Sequence, residues 1–247
     1  MYTEYRKEYS YNLGRDMEYK IYGDAGKPCI VFPCQNGRFY DYEDFEMVKL
    51  LAPYIEQKRL RLICVDSVDE ESWSASHAPL RQRIEKQEQY YRYITEEIVP
   101  QIQKITGRND FIATGCSMGG YHSTNFFFRR PDLFDTLISL SGSLDAAYFL
   151  GSYSDELVYN NSPIAFLQNM HADHAYWDMY RNRQIHICIG QGAWEDDLIP
   201  GNKAMAHILS QHGIYGAVDF WGHDVDHDWP WWRKQIRYFM EKVLGPM

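Results

Sequence analysis

A serine with the surroundings of a catalytic nucleophile lies near the middle of the chain. The pattern G-x-S-x-G runs from Gly115 to Gly119, between an apolar run (residues 110–114) and a helix-compatible stretch (residues 121–130). In this strand-turn-helix context the central serine lies on a sharp turn, and its hydroxyl is exposed at the carboxyl edge of a sheet. The glycines let the turned backbone and the helix pass close together. We therefore predict that Ser117 is a nucleophile, rather than a serine that caps an ordinary βα turn.

A serine nucleophile needs a base that accepts its proton and an acid that orients the base. On this type of turn their chain order is serine, acid, histidine. Three carboxylates follow an apolar run at residues 185–189, namely Glu195, Asp196 and Asp197. Glu195 is the preferred acid because its longer side chain can reach a histidine loop from a strand end. Asp196 and Asp197 remain alternatives, and carboxylates here also suit the N-terminus of the next helix.

The base is expected within residues 223–228, which follow the last apolar run and hold two histidines and three aspartates. His227 is preferred because it immediately precedes a helix start, signalled by Asp228 and Pro230, on the loop that returns to the nucleophile. His223, nearer the strand end, is the alternative. The same composition suits a metal site, but two histidines on a loop have no fixed common face. We therefore predict no metal.

A carbonyl group attacked by Ser117 develops negative charge on its oxygen, which two backbone N–H groups should stabilise. The turn itself predicts one donor, the N–H of Met118. The loop after an early strand, residues 33–37, should supply the other. Here we predict the N–H of Gln35, with Cys34 as the alternative; without such a role this loop would be a plain βα turn.

Apolar runs alternate with amphipathic stretches along the chain. Residues 17–22 alternate in an edge-strand pattern, and continuous apolar runs occupy residues 29–32, 60–65, 111–113, 136–140, 185–189 and 217–221. Helix-compatible stretches cover residues 45–51, 80–105, 121–130, 199–212 and 231–243. This alternation predicts an α/β fold with a doubly wound, mostly parallel sheet and helices on both faces. We see no repeat or flexible linker, and we predict a single domain over residues 1–247.

Residues 143–183 form the least regular segment, with aromatic residues interspersed among polar ones. In the predicted fold this segment overhangs the carboxyl edge of the sheet, so its aromatic side chains are candidates for the wall of a substrate pocket. The alternative is a surface-covering insertion with its own small aromatic cluster. Its length argues against a large separate lid.

Composition and charge restrict the class of protein. The 247 residues, 45% of them hydrophobic, suit one domain with a sizeable core. A formal net charge of −9 with scattered Lys and Arg argues against nucleic acid or anionic lipid as a partner. The polar start and the absence of a long apolar stretch predict neither a secretory signal nor a membrane span. We expect a cytoplasmic protein unless a leader was removed, and the sequence leaves its oligomeric state open.

The five cysteines are an odd number with no C-x-x-C pair, which predicts buried thiols in a reducing compartment. Cys116 adjoins Ser117 but receives a packing role, because the exposed side chain of such a turn belongs to the central serine. Three of the cysteines lie in apolar, strand-like runs: Cys29, Cys64 and Cys188.

The histidines outside residues 223–228, including His122 and His186, are expected at the surface or as core residues with hydrogen-bond partners.

Several motifs together resemble the esterase family of α/β-hydrolases that includes S-formylglutathione hydrolases, feruloyl esterases and mycolyltransferases. The resemblance extends roughly over residues 27–244 and rests on Gly115-Cys116-Ser117-Met118-Gly119-Gly120, Arg130-Pro131-Asp132-Leu133-Phe134, Ser139-Leu140-Ser141-Gly142, His227-Asp228-Trp229 and Trp232-Arg233. It implies an α/β-hydrolase fold with little or no lid, acting on carboxylic esters or thioesters without a cofactor. It also implies Ser117 as the nucleophile and His227 as the histidine. The G-x-x-D/E spacing of the family, counted from Gly192, implies Glu195 as the acid.

We therefore predict a serine hydrolase that cleaves small-molecule carboxylic esters or thioesters through an acyl-enzyme on Ser117. One alternative is an acyltransferase, which uses the same three residues with an alcohol in place of water. Another is a catalytically silent binding protein on the same fold. A fluorophosphonate label tests the silent alternative, and product analysis with an added acceptor alcohol separates hydrolysis from transfer.

Overall fold

The structure, a computed structural model, describes residues 1–246, and within them it contains one eight-stranded sheet. Met247, which the single-domain prediction includes, lies outside the described residues. The strands are β1 (Thr3–Ser10), β2 (Arg15–Tyr22), β3 (Lys27–Phe32), β4 (Leu60–Val65), β5 (Phe111–Cys116), β6 (Phe134–Leu140), β7 (Gln184–Ile189) and β8 (Val218–Phe220). Their order across the sheet is β1-β2-β4-β3-β5-β6-β7-β8. Pairing is antiparallel on both sides of β2 and parallel from β4 to β8.

Helices connect most of the parallel strands. They are α1 (Asp41–Asp44), α2 (Met47–Glu56), α3 (Leu80–Arg92), α4 (Val99–Thr106), α5 (Met118–Arg129), α6 (Ala147–Leu150), α7 (Glu156–Asn160), α8 (Pro163–Gln168), α9 (Ala175–Arg181), α10 (Ile199–Gln211) and α11 (Trp229–Leu244). A 3₁₀ turn covers Asp69–Glu71, and a π-helical segment covers Tyr93–Ile98. Within the described residues, none of these helices combines the length and apolarity needed to cross a bilayer.

Alternate residues of the central strands feed apolar layers on both faces of the sheet. Ile30 and Phe32 of β3 pack with side chains of α4, α5 and α10 on one face. Cys29 and Val31 of the same strand pack with α2 and α11 on the other face. Strands β4 and β5 are buried along their whole length, as their continuous apolar runs predict. This is the doubly wound α/β-hydrolase fold predicted from the sequence.

Strand β1 was not predicted, and it changes the place of β2. The sequence pattern assigns residues 17–22 to an edge strand, which is wrong, because β2 lies between β1 and β4. Strand β1 pairs along its full length with β2, from Thr3 opposite Tyr22 to Ser10 opposite Arg15. An edge strand can be rich in charged residues because it has a neighbour on one side only. The polar start of the chain is therefore compatible with a regular strand.

The predicted helix over residues 80–105 forms as α3, the π-helical segment and α4 in direct succession. Pro100 lies in the first turn of α4 and has no N–H to donate to the carbonyl four residues before it. The π-helical segment ends directly before this turn, so the irregularity and the missing bond lie next to each other. The helical prediction holds, with a local irregularity that the pattern did not contain.

Residues 143–183 are more regular than expected, since they contain the short helices α6 to α9. Their aromatic side chains divide between two environments. Trp177 and Tyr180 of α9 are fully buried in the main core, where Trp177 stacks on His212 with ring centroids 3.5 Å apart. Tyr148 and Phe149 of α6 lie at the carboxyl edge of the sheet and line a cleft. The prediction of a pocket wall therefore holds for α6, whereas the aromatic residues of α9 belong to the main core rather than to a small cluster of their own.

The cysteines are free thiols, and four of them are buried as predicted. The exception is Cys34, which is half-buried in the loop after β3.

Candidate active site

Ser117 lies at the turn between β5, which ends at Cys116, and α5, which begins at Met118. Its backbone has φ 57° and ψ −119°, a strained conformation for a residue other than glycine. The Ser117 N–H donates a 2.8 Å hydrogen bond to the last carbonyl of β6. A Cβ on Gly119 would lie 2.2 Å from the main-chain oxygen of Phe32, so this turn requires glycine there. Close packing and hydrogen bonding therefore hold the strained turn that the G-x-S-x-G pattern predicts.

The structure brings together the three side chains that the sequence singled out. Ser117 Oγ lies 2.8 Å from His227 Nε2, and His227 Nδ1 lies 3.1 Å from Glu195 Oε2. The Glu195 side chain is fully buried, and that of His227 is 17% exposed. These residues follow β5, β7 and β8, whose carboxyl ends share one edge of the sheet. One imidazole nitrogen therefore faces the hydroxyl, and the other faces the carboxylate.

The second oxygen of Glu195 also has partners. Glu195 Oε1 accepts hydrogen bonds from Ser141 Oγ at 2.5 Å and from the Gly190 N–H at 3.3 Å. The Trp232 indole N–H donates to Ser141 Oγ at 3.1 Å, and the Trp232 ring meets the His227 ring edge-on with centroids 5.0 Å apart. A buried carboxylate needs such donors because it has lost its water. Ser141 and Trp232 thus hold the Glu195 and His227 side chains in place.

The loop that carries Glu195 is bonded directly to the loop that carries His227. The His227 N–H donates to the Ala193 carbonyl at 2.9 Å, and the Ala193 N–H donates to Asp226 Oδ1 at 2.8 Å. A Cβ on Gly192 would lie 2.3 Å from that same Asp226 oxygen. Main-chain contacts therefore fix the position of Glu195 relative to His227.

The alternative candidates lie in other surroundings. Asp196 and Asp197 are exposed at the start of the segment that leads into α10, and His223 is exposed on the loop after β8. Cys116 is buried, and this burial raises the pKa of its thiol well above the usual range. A buried thiol with a raised pKa is a poor nucleophile, which agrees with a packing role.

A cleft of about 360 Å³ opens above Ser117. Both residues predicted to supply main-chain donors, Met118 and Gln35, lie on its wall, whereas Cys34 is not among the described lining residues. The lining contains no Lys, Arg, Asp or Glu, so the cleft suits an uncharged group. The lining residues are Gln35, Ser117, Met118, Ser141, Ser143, Tyr148, Phe149, Trp194, Leu198 and His227.

Trp194 is a highly exposed residue of the cleft wall. Its side chain is 87% exposed, and its backbone has φ 67°, in the left-handed region. A bulky residue with positive φ is an outlier that carries a conformational cost. Tyr148 and Phe149 lie on the same wall, and the buried Trp73 ring supports Phe149 at a centroid distance of 4.9 Å. The mouth of the cleft is therefore aromatic.

Sequence reasoning missed the supporting roles of Ser141 and Trp232. Ser141 is the first residue after β6, and its backbone φ of 52° is also in the left-handed region. Ser141 directly follows the apolar run of β6, and β6 pairs with the strand that precedes Ser117. This position at the end of a predicted strand was the signal available in the sequence. Trp232 belongs to the Trp-rich start of α11, which packs against the histidine loop.

The comparison with protein families agrees with this geometry. A family model described as "Putative esterase" matches residues 10–239. The chain belongs to this family. The resemblance stated from the sequence motifs is confirmed, and the chain is an esterase-type enzyme.

Solved structures with the same fold cover nearly the whole chain. A ferulic acid esterase has a TM-score of 0.76 at 14% identity, covering 98% of each chain. The fluorophosphonate-binding serine hydrolase F of Staphylococcus aureus has a TM-score of 0.73 at 17% identity, covering 99% of each chain. An S-formylglutathione hydrolase of the same organism has a TM-score of 0.68 at 16% identity, covering 99% of this chain and 100% of that one. At these identities the similarity establishes the fold. The curated proteins contain no match to this esterase.

Proposed function

We propose that this esterase cleaves carboxylic esters through an acyl-enzyme, with Ser117 as the nucleophile, His227 as the general base and Glu195 as the residue that orients the base. The proposal rests on two hydrogen-bond distances. Ser117 Oγ lies 2.8 Å from His227 Nε2, and His227 Nδ1 lies 3.1 Å from Glu195 Oε2. Nucleophile, base and orienting acid within hydrogen-bond reach are the geometric requirement for this chemistry.

In the first half of the reaction, Ser117 Oγ attacks the ester carbonyl carbon while its proton passes to His227 Nε2. The imidazolium that forms donates from Nδ1 to Glu195, whose negative charge stabilises it. The tetrahedral intermediate then collapses and the bond to the alcohol oxygen breaks. His227 Nε2 gives its proton to that oxygen, so the alcohol leaves neutral and the acyl group stays on Ser117.

In the second half, a water molecule takes the place of the alcohol. His227 Nε2 accepts a proton from the water as its oxygen attacks the acyl carbon. Collapse of the second intermediate breaks the bond to Ser117 Oγ, which regains a proton from His227. The carboxylic acid product leaves, and no step needs a metal or an organic cofactor.

The main-chain N–H groups of Met118 and Gln35 are proposed to stabilise the negative oxygen of both intermediates. Both residues line the cleft at Ser117, one at the start of α5 and one on the loop after β3. Loss of one such donor typically costs about 10²- to 10³-fold in rate. The uncharged cleft wall favours a neutral ester, and a cleft of about 360 Å³ limits the substrate to a small molecule.

The deciding experiment combines a fluorophosphonate label with a panel of p-nitrophenyl esters of increasing acyl length. We expect one label per wild-type chain and hydrolysis of at least the shorter esters. Ser117→Ala should lose both label and hydrolysis while its circular dichroism spectrum stays that of the wild type. Full labelling of Ser117→Ala would identify another nucleophile. An unlabelled, inactive wild-type protein would support a silent binding protein instead.

The same panel separates hydrolysis from acyl transfer. With an acceptor alcohol present, a hydrolase releases mainly the free acid, whereas an acyltransferase releases mainly the new ester. A matched pair of oxygen and thiol esters tests whether thioesters are also cleaved. We propose hydrolysis of oxygen esters, so free acid should remain the main product.

A further inference from the structure

A second buried histidine–carboxylate pair joins α5 to the turn after β4, and the reaction steps do not use it. His122 is on α5, five residues after Ser117, and Asp69 is in the 3₁₀ turn that follows β4. His122 Nε2 lies 2.9 Å from Asp69 Oδ1, and both side chains are fully buried. Burying two ionisable groups is costly unless each finds partners. The partners of Asp69 indicate what this pair supports.

The His122 ring is enclosed by aromatic side chains. Its centroid lies 5.9 Å from Phe32, 5.4 Å from Tyr90 and 6.5 Å from Phe126. Nδ1 is buried and has no hydrogen-bond partner among the described residues. The polar contact of the ring is therefore made on one side, toward Asp69.

Asp69 connects His122 to the loop that carries Gln35. Asp69 Oδ2 accepts from the Asn36 N–H at 3.4 Å. The Asp69 carbonyl accepts from the Ser74 N–H at 2.8 Å, and Ser74 Oγ accepts from the Gln35 side-chain amide, also at 2.8 Å. Asn36 has a left-handed backbone, with φ 56°. The Asn36 N–H is thus tied to the buried carboxylate of Asp69, and the Gln35 side chain is tied through Ser74 to the main chain of the same residue.

The two proposed donors of the oxyanion hole lie on the elements that this network joins. Met118 begins α5, the helix that carries His122, and Gln35 lies on the loop held through Asp69. An oxyanion hole works only if its donors keep a fixed separation, because reorganisation during the reaction removes the advantage. The loop begins at a close contact between Phe32 and Gly119, but its tip is exposed and needs its own attachment.

We propose that His122 and Asp69 are a positioning pair that holds the tip of the Gln35 loop at a fixed distance from the serine turn. Neither residue lies on the cleft wall, so their effect on the reaction passes through Gln35. This inference rests on the proposed function, in which the Gln35 N–H stabilises the oxyanion.

The test compares His122→Leu with His122→Gln, whose amide can still donate to Asp69. His122→Leu should lower kcat about 10- to 100-fold, the scale of a misplaced catalytic group, and leave KM within about threefold. His122→Gln should recover most of that loss. Ser74→Ala, which removes only the contact with the Gln35 side chain, should lower kcat by roughly threefold to tenfold. It serves as the second variant if His122→Leu folds poorly.

An inhibitor that mimics the intermediate provides a readout that a merely structural role would not change. An alkyl boronic acid adds to the serine and places a negative oxygen in the oxyanion hole. Its affinity should fall in His122→Leu by the same factor as kcat/KM. The end point of fluorophosphonate labelling counts the folded active sites. Dividing the measured rate by this count distinguishes a variant with fewer folded molecules from one whose active sites work more slowly.

The control is Thr124→Val, on the same helix. Thr124 is buried and donates to the Gly120 carbonyl at 2.8 Å, without contact with Asp69 or the loop. It should keep kcat per labelled site within about twofold of the wild type, because its hydrogen bond lies outside the network that joins His122 to the Gln35 loop. If His122→Leu and Ser74→Ala both keep wild-type kcat per labelled site, the positioning role is overturned and the proposed function stands. An inactive, unlabelled wild-type protein would overturn both.

Discussion

The two histidine–carboxylate pairs with a buried carboxylate differ mainly in what surrounds the ring. In His227–Glu195 and in His122–Asp69 the carboxylate is fully buried, and the nitrogen–oxygen distances are similar, 3.1 Å and 2.9 Å. The His227 side chain is 17% exposed at the cleft, whereas that of His122 is fully buried. The pairing alone therefore does not distinguish a reacting histidine from a supporting one.

The difference lies in the imidazole nitrogen that the acid leaves free. Glu195 contacts Nδ1 of His227, and the remaining Nε2 faces Ser117 Oγ in a cleft that water and substrate can enter. Asp69 contacts Nε2 of His122, and the remaining Nδ1 faces buried surroundings without a partner. Only a free nitrogen that reaches a reacting group can transfer protons to and from it. We therefore expect the first pair to control the rate and the second to control structure.

The largest expected effect is that of His227→Ala. It should lower kcat by about 10⁴-fold or more, as much as Ser117→Ala, because the members of such a unit act together. Hydrolysis of a p-nitrophenyl ester under saturating conditions measures it. His223→Ala is the matched control, with an exposed histidine on the same loop, and it should keep most of the activity. The reverse result would transfer the role of base to His223.

A smaller loss of activity is expected from Glu195→Gln. The amide keeps the size of the side chain but removes the charge that stabilises the imidazolium, so kcat should fall between the wild type and Ser117→Ala, by about 10³- to 10⁴-fold. Asp196→Asn and Asp197→Asn are the controls, since both carboxylates are exposed. Wild-type activity in Glu195→Gln, with loss in either control, would show that the acid was assigned wrongly.

The third prediction concerns the free energy of unfolding. Here we expect the larger loss from the His122–Asp69 pair and the smaller loss from the His227–Glu195 pair. His122→Leu leaves the Asp69 carboxylate buried without its main partner, which should cost about 3–5 kcal/mol of the free energy of unfolding. His227→Ala should cost about 1 kcal/mol or less, because water can enter the cleft and solvate Glu195. Urea unfolding followed by fluorescence measures both. Equal losses in the two variants would remove the distinction between the pairs.

The smallest expected effects come from substitutions of Trp194. This exposed residue adjoins Glu195 in the chain, whereas the His122–Asp69 pair is buried. Trp194→Gly should raise KM about threefold to tenfold through lost contact area, and should gain about 0.5–1 kcal/mol of stability as the left-handed backbone is relieved. Trp194→Ala should raise KM without that gain. Tyr215→Ala, which removes an aromatic side chain that is 80% exposed and not on the cleft wall, should change neither quantity. Stability gained equally by Trp194→Ala would argue against backbone strain.

The sequence predicted the fold, and it predicted that Ser117, Glu195 and His227 lie close together, because each of these features had a local pattern. Continuous apolar runs predicted the buried parallel strands, and β4 has the predicted bounds. The G-x-S-x-G turn and the two later loops predicted which side chains the structure now places within hydrogen-bond reach. These patterns were sufficient because parallel strands bring their carboxyl ends to one edge.

Features without a local pattern were missed. Strand β1 depends on pairing with β2, and its charged residues do not distinguish it from a loop. The contact between His122 and Asp69 joins residues 53 positions apart, and nothing in the sequence around either residue indicates the other. The same holds for Ser141 and Trp232, 91 positions apart. Pairs of this kind are determined by packing, which a single sequence does not display.

The hydrogen bond between Ser117 and His227 joins residues 110 positions apart in the chain, and this separation has a consequence for folding. Contacts between distant residues form late, because the intervening chain must first be ordered at an entropic cost. The serine turn can form once β5 pairs with its neighbours, but the contacts among Ser117, His227 and Glu195 also need β7, β8 and the start of α11. During refolding, tryptophan burial should therefore recover before ester hydrolysis does. Enzymatic activity in this chain would then mark the final step of folding rather than the appearance of the sheet.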